Sequence, residues 1–194
     1  MVLGAFVAVS FAVLVSGCLF SAIVRAAPAP IRASLVEGSL VGIVAQDFAK
    51  HTDCDYGSGQ SGIVVNELAS TSHEIVVEQL FASTKPEDWI GFEPLIAVLH
   101  QRNATDRPID WGVPNSDDLQ VLSFANIDDQ GMEKLATEVR CFATFALPAI
   151  SLDGSLALVA FRVGPAPHGA SALYALRREG KLWRVSARSF LHFL

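Results

Sequence analysis

A chain of 194 residues that is 51% hydrophobic, 18% charged and 9% aromatic has room for one ordinary domain with a real core. Those fractions exclude intrinsic disorder, and 14 Gly, 9 Pro and 3 Cys exclude a collagen-like chain and a disulfide-dense miniprotein. Fourteen Lys and Arg stand against 20 Asp and Glu, a net charge of -6 with no basic cluster to serve as a nucleic-acid footprint, so no nucleic-acid partner is expected.

Residues 1–24 carry no charged side chain, and Arg25 is the first. As a helix such a segment would cover about 35 Å, enough for a hydrocarbon core of about 30 Å. Three readings are open. Val15-Ser16-Gly17-Cys18 resembles the bacterial lipoprotein signal, in which the cysteine sulfur receives diacylglycerol, and this makes Cys18 the lipidation site. Val24 and Ala26 supply the small residues that a secretory cleavage pocket accepts, which makes 1–26 a removable signal. An uncleaved anchor is the third; with Arg25 and Arg32 on its carboxyl side, it would hold the body in the cytoplasm. The membrane, reached through this segment or through a lipid, is the first expected partner.

Residues 27–34 read as an Ala-Pro linker and 35–194 as the folded domain. Val36, Leu40, Val44 and Phe48 recur every four residues, with Glu37, Gln46 and Asp47 off that stripe, and this predicts an amphipathic helix. Gly38 and Gly42 would let it approach a sheet closely. Ile63 to Leu68 reads as a strand, and Thr71 with Glu74 as a capping box ahead of a helix carrying Ile75, Val76, Gln79 and Leu80, with a strand as the alternative that the β-branched pair leaves open. Pro86 and Pro94 each open a short helix. Thr105 to Ser116 is loop, with Trp111 folded back on the core. Leu119 to Ala125 reads as a strand, and Asp128 and Asp129 cap a helix bearing Met132, Leu135 and Val139.

The remainder is β. Phe142 to Ile150, Leu156 to Val163, Ala170 to Arg178 and Leu182 to Ala187 are joined by Asp153-Gly154 and Glu179-Gly180 at tight turns, an antiparallel meander. Helices first and hairpins last is an α+β order, with helices on one face of the sheet. Strands as apolar as Leu156 to Val163 suit cover on both faces.

Once Cys18 is lipidated or removed, Cys54 and Cys141 remain. A bridge between them closes a loop of about ninety residues, worth about 4 kcal/mol in the chain-entropy model; two isolated thiols are the alternative. Neither has a second ligand at zinc spacing, so no metal or cofactor is expected.

Chemical motifs are few. Gly57-Ser58-Gly59-Gln60-Ser61-Gly62 has the letters of a dinucleotide loop, but it follows a helix and precedes a strand, the reverse of the required order. Asp53 and Asp55 begin like a calcium loop, yet Val64 stands where a bidentate Glu is needed. His51, His73, His100, His168 and His192 are scattered, Asp110 beside Trp111 could line a pocket, and Asn103-Ala104-Thr105 is a glycosylation sequon by letter.

Ser151-Leu152-Asp153-Gly154, then Ala157-Leu158-Val159, Gly164-Pro165-Ala166-Pro167-His168-Gly169, Leu173-Tyr174 and Gly180-Lys181-Leu182-Trp183-Arg184-Val185 follow a turn, strand, turn, strand order. In this the chain resembles a family of uncharacterised bacterial exported or lipoprotein domains. The resemblance implies an α+β exported domain, with Trp183 as a core anchor, and brings no catalytic residues. The leading expectation is an extracytoplasmic domain, lipid-anchored, that binds a protein, glycan or envelope component without chemistry. A secreted or envelope-bound hydrolase using His168 with a carboxylate is the second, and a membrane-tethered cytoplasmic regulator the third.

Overall fold

The computed structural model describes residues 31–51, 55–56, 60–61, 63–66, 75–105, 107–112, 119–122, 130–131, 141–164 and 169–192. In chain order the elements are β1 (Ile31–Arg32), α1 (Leu35–His51), β2 (Asp55–Tyr56), β3 (Gln60–Ser61), β4 (Ile63–Asn66), α2 (Val77–Ala82), a 3-10 turn (Pro86–Trp89) and α3 (Glu93–Arg102). There follow β5 (Ile109–Asp110), β6 (Leu119–Leu122), β7 (Phe142–Phe145), β8 (Ala149–Ile150), β9 (Leu156–Gly164), β10 (Ala170–Glu179) and β11 (Leu182–His192).

The fold is α+β. Its main sheet runs β11-β10-β9-β7-β4-β6, with β8 also paired to β9. Strands β8 to β11 pair antiparallel in chain order as the expected meander, with Gly154 in the β8–β9 turn and Gly180 in the β10–β11 turn, both holding positive φ (68° and 64°) that a side chain would strain. A bulge between Ala175 and Leu176 skips Ser186 in the ladder, and the Ser186 hydroxyl donates to the Ala175 carbonyl at 3.1 Å. By contrast β4 pairs in parallel with both β6 and β7, so the far side of the sheet is mixed.

All of Ala157–Phe161 is buried, because β9 is covered on both faces. Ala157, Val159 and Phe161 face α1, joined by Phe145, Ala172 and Tyr174. Leu158, Ala160, Leu173 and Ala175 face the other way, toward Leu80, Trp89, Phe92 and Leu99 of the α2–α3 region. The helices therefore occupy both faces, where a one-sided arrangement was expected; alanines at 160, 172 and 175 leave room for a layer on each side. Phe161 centres the first cluster, edge-on to Phe48 at 5.2 Å and stacked on Phe145 at 4.6 Å.

Several boundaries move. Residues 31–32 of the expected linker form β1, parallel to β5, whose Ile109 is 1% exposed. In α1, Leu40, Val44 and Phe48 are buried as expected, but the stripe fails at its first turn, where Leu35 is 88% exposed and Glu37 is buried. Helix α2 begins only at Val77, because Val76 sits in the left-handed region at φ 49° and interrupts any run from upstream; Thr71 and Glu74 lie outside the described residues. The helix opened by Pro86 is a single 3-10 turn. Phe142 to Ile150 divides into β7 and β8, since Pro148 lacks the N–H that a continuous ladder needs. Strand β11 continues past Ala187 to His192. Of the helix expected after Asp128, Gln130 and Gly131 are described and helical.

Candidate functional site

Two polar clusters tie the helices to the sheet. At the start of α1, Ser34 and Glu37 form a reciprocal capping box: Ser34 N–H donates to Glu37 Oε2 at 2.6 Å, and Glu37 N–H to Ser34 Oγ at 3.3 Å. Arg102, in the last turn of α3, donates to the Glu37 carboxylate and to the Pro148 carbonyl. Burial by itself would raise the Glu37 carboxyl, but the Ser34 and Arg102 hydrogen bonds outweigh it and hold the group below its ordinary range. Beside it Asn103, 1% exposed, donates to Leu99 O at 2.8 Å and Leu147 O at 3.0 Å, and accepts from Leu147 N–H at 2.7 Å. The Asn103 sequon is thereby closed, since the folded chain offers no side-chain nitrogen to a glycan.

The second cluster lies where α1 crosses β11. Arg188 is bidentate to Asp47, both bonds 2.6 Å, and its guanidinium stands 5.9 Å from the Tyr174 ring centre. His51 Nδ1 donates to the Asp47 backbone carbonyl at 2.7 Å. Burial works against the Asp47 charge, yet the Arg188 hydrogen bonds and charge keep its carboxyl low, and the same pairing raises Arg188. Tyr174 is fully buried, and its hydroxyl lies beside Asp47 and Arg188 without a hydrogen bond of ordinary geometry among the described residues. Burial first, then the Asp47 charge, pushes the phenol above its usual range, so it stays neutral. A Tyr, Asp, Arg and His together resemble an acid–base set, but both carboxylate oxygens are held by Arg188.

Arg188 also lines a groove of about 430 Å³ on the flank of β11. This strand is the last in its sheet on that side, with β10 as its neighbour. The groove's opposite wall is Ser83, Thr84, Lys85, Asp88 and Trp89; its floor is Ala187 to Phe190. Ser83 and Ser189 hydroxyls converge on the Leu80 carbonyl at 2.9 and 2.8 Å and lie 3.0 Å from each other, and Thr84 donates to Phe81 O at 2.7 Å. One exposed cation, Lys85, and one exposed carboxylate, Asp88, face this hydroxyl-lined surface.

A second groove, about 350 Å³, runs along the outer side of α1, where Gly38, Gly42 and Gln46 face Trp111 and Gly112. Gly42 thus opens a groove rather than a sheet contact. Trp111 does fold back on the core, 2% exposed and edge-on to Phe145 at 6.4 Å. Asp110 is exposed, accepting from Gly112 N–H at 3.0 Å and lying 3.9 Å from Arg32.

The other candidates fall as follows. His100 Nε2 lies 2.6 Å from Glu78 on α2, far along the chain from His51. His73, His168, Cys18 and Cys54 lie outside the described residues, as does the His192 side chain. Cys141, 9% exposed just before β7, is disulfide-bonded. Gln60 and Ser61 of the glycine run form β3, antiparallel to β2, and its other four residues lie outside the described residues. Trp183 is half-buried at the margin of the α1-facing cluster. Among the described residues no group of three His, Cys, Asp or Glu is placed to hold a metal, and no helix is long and apolar enough to cross a membrane. Comparison with protein-family models, curated proteins and solved structures finds no match to the chain.

Proposed function

We propose that this chain is an extracytoplasmic binding domain, held at the cell envelope through its N-terminus, that takes a polar ligand in the groove beside β11. The observation that carries the binding half is that groove: its volume of about 430 Å³ falls in the range of small-ligand sites, and hydroxyls, the Lys85 and Arg188 cations and the Asp88 carboxylate line it beside a sheet edge. The charges nearest it on the other face are committed to structure, since Arg188 and Asp47 satisfy each other. The uncharged run over residues 1–24 supports the location, with Cys18 as the lipid-bearing residue, and a Cys54–Cys141 pair suits an oxidising compartment.

Trp89 reports on the groove from its wall. In a chain with Trp111 and Trp183 changed to Phe, titration with chitooligosaccharides, peptidoglycan fragments and extended polar peptides shifts Trp89 emission for a true ligand, and Thr84→Trp, which fills the groove, abolishes binding measured by calorimetry. Binding by one of these probes that survives Thr84→Trp removes the groove from the proposal. Failure of all three probes removes the ligand class.

A further inference from the structure

Among the described residues, three of the five exposed large apolar side chains lie at one end of the sheet. Leu152, at the tip of the turn before β9, is fully exposed, and Leu182 and Ile90 are 64% and 65% exposed. Hydrogen bonds join the segments that carry them: Arg178 N–H donates to Ser155 O at 2.8 Å, linking the Leu152 turn to the end of β10, and the Arg177 side chain donates through Nη2 to Ile90 O at 2.8 Å. The two turns that carry Leu152 and Leu182 hold Arg177, Arg178, Lys181 and Arg184 against Glu179 and Asp153, four cations to two carboxylates in a chain whose net charge is -6, while Glu93 stands beside Ile90, accepting from Gly91 N–H at 3.0 Å.

Those carboxylates are committed. Glu179 pairs with Arg184 at 2.6 Å. Asp153 accepts from the Ser151 and Ser155 hydroxyls and from Ser155 N–H, which braces the turn beneath Leu152. Arg177 is drawn over the Phe92 ring at 4.8 Å. Arg178 and Lys181 remain exposed and make no ion pair among the described residues. Apolar side chains raised on two braced turns, with cations beside them, match a surface that is apolar within and negatively charged at its face.

We propose that this end of the sheet rests on an anionic bilayer, Leu152 and Leu182 entering the boundary between headgroups and acyl chains while Arg178 and Lys181 meet lipid phosphates. The inference rests on the reading of the chain as membrane-held: a tether at the N-terminus supplies proximity, and the turns fix which way the domain faces, leaving the β11 groove open to a ligand.

The test uses the full chain reconstituted in vesicles of phosphatidylcholine alone or with phosphatidylglycerol, with amide hydrogen exchange read by mass spectrometry. The expected result is slower exchange across 150–156 and 178–184 on the anionic vesicles only, reversed by added salt, by Arg178→Glu with Lys181→Glu, and by Leu152→Ser with Leu182→Ser. These side chains are exposed, so the variants fold. Equal exchange on both vesicle types in a chain that floats with them overturns this inference and leaves the tether standing. Protection that grows with protein concentration at fixed lipid also overturns it, assigning the surface to a second copy. A chain that does not float with either vesicle overturns the membrane reading itself, and this inference with it.

Discussion

Removing the Arg102 guanidinium should destabilise the fold more than removing the Glu37 charge it faces. With Arg102→Met, a carboxylate buried to 9% side-chain exposure keeps only the 2.6 Å Ser34 N–H bond, and the Pro148 carbonyl loses its donor. Breaking a buried pair from one side costs about 3–5 kcal/mol; with the Arg102 side chain 33% exposed, the lower figure of about 3 applies. For a chain of this length that is a fall of roughly 6–12 °C in Tm. Glu37→Gln with Arg102→Met leaves no stranded charge and should recover about half of the loss. The pH dependence has a definite sign. Glu37 titrates lower in the folded chain than its unfolded value of about 4.3, so its stabilisation is present above that value and fades as pH falls through the folded one. Urea unfolding of the unaltered chain, Arg102→Met, Glu37→Gln and the double variant at neutral pH and through the acid range measures both effects. An Arg102→Met cost below about 0.5 kcal/mol, the level of an exposed pair, or one that does not shrink in acid, would refute the reasoning.

Three further outcomes follow from the packing. Tyr174→Phe deletes a buried hydroxyl that makes no hydrogen bond of ordinary geometry among the described residues, beside an Asp47–Arg188 pair that is already closed on itself, so calorimetry should show it neutral or stabilising by up to about 1 kcal/mol; a loss of 2 kcal/mol or more, on the scale of a removed buried hydrogen bond, would show the hydroxyl engaged with that pair. Asn103→Leu strands the Leu147 N–H and the Leu147 carbonyl, while Leu99 O keeps the Asn103 backbone N–H, and should cost about 2–3 kcal/mol in denaturant unfolding, whereas a change under 0.5 kcal/mol would mean that the β7–β8 link does not depend on it. Gly180→Ala, at φ 64° with open space around the Cβ, should cost about 1 kcal/mol through backbone strain alone, and an unchanged Tm would contradict that turn conformation.

What could be read along the chain was whatever a short window carries. The unbroken apolar run of β9 announced a strand covered twice, the Asp153-Gly154 and Glu179-Gly180 pairs located the turns, and the fourfold spacing from Leu40 to Phe48 located α1. The Ser34 and Glu37 cap was also legible, as Ser-x-x-Glu ahead of an apolar stripe, and went unread because Glu37 looked like a solvent-facing charge. Long-range pairs leave no such trace. Asp47 and Arg188 are 141 positions apart, and nothing near either residue names the other. The placement of α1 opposite α2 and α3 depends on which side each helix crosses, which periodicity does not encode. The groove beside β11 was missed for the same reason, its two walls coming from segments about a hundred residues apart. The cations of the β10–β11 turn lie within eight positions, Arg177 to Arg184, but nothing in that stretch says that the fold sets them beside the Leu152 turn.

The central claim is that the folded domain stands outside the cytosol, held by its N-terminus. Intact-mass analysis of the chain from a membrane fraction, without reductant, tests it most directly. The account predicts a mature chain beginning at Cys18, heavier by a diacylglycerol modification and lighter by the two hydrogens of one disulfide. A full-length chain from Met1 with every thiol free to alkylate, recovered from the soluble cytosolic fraction, would contradict it.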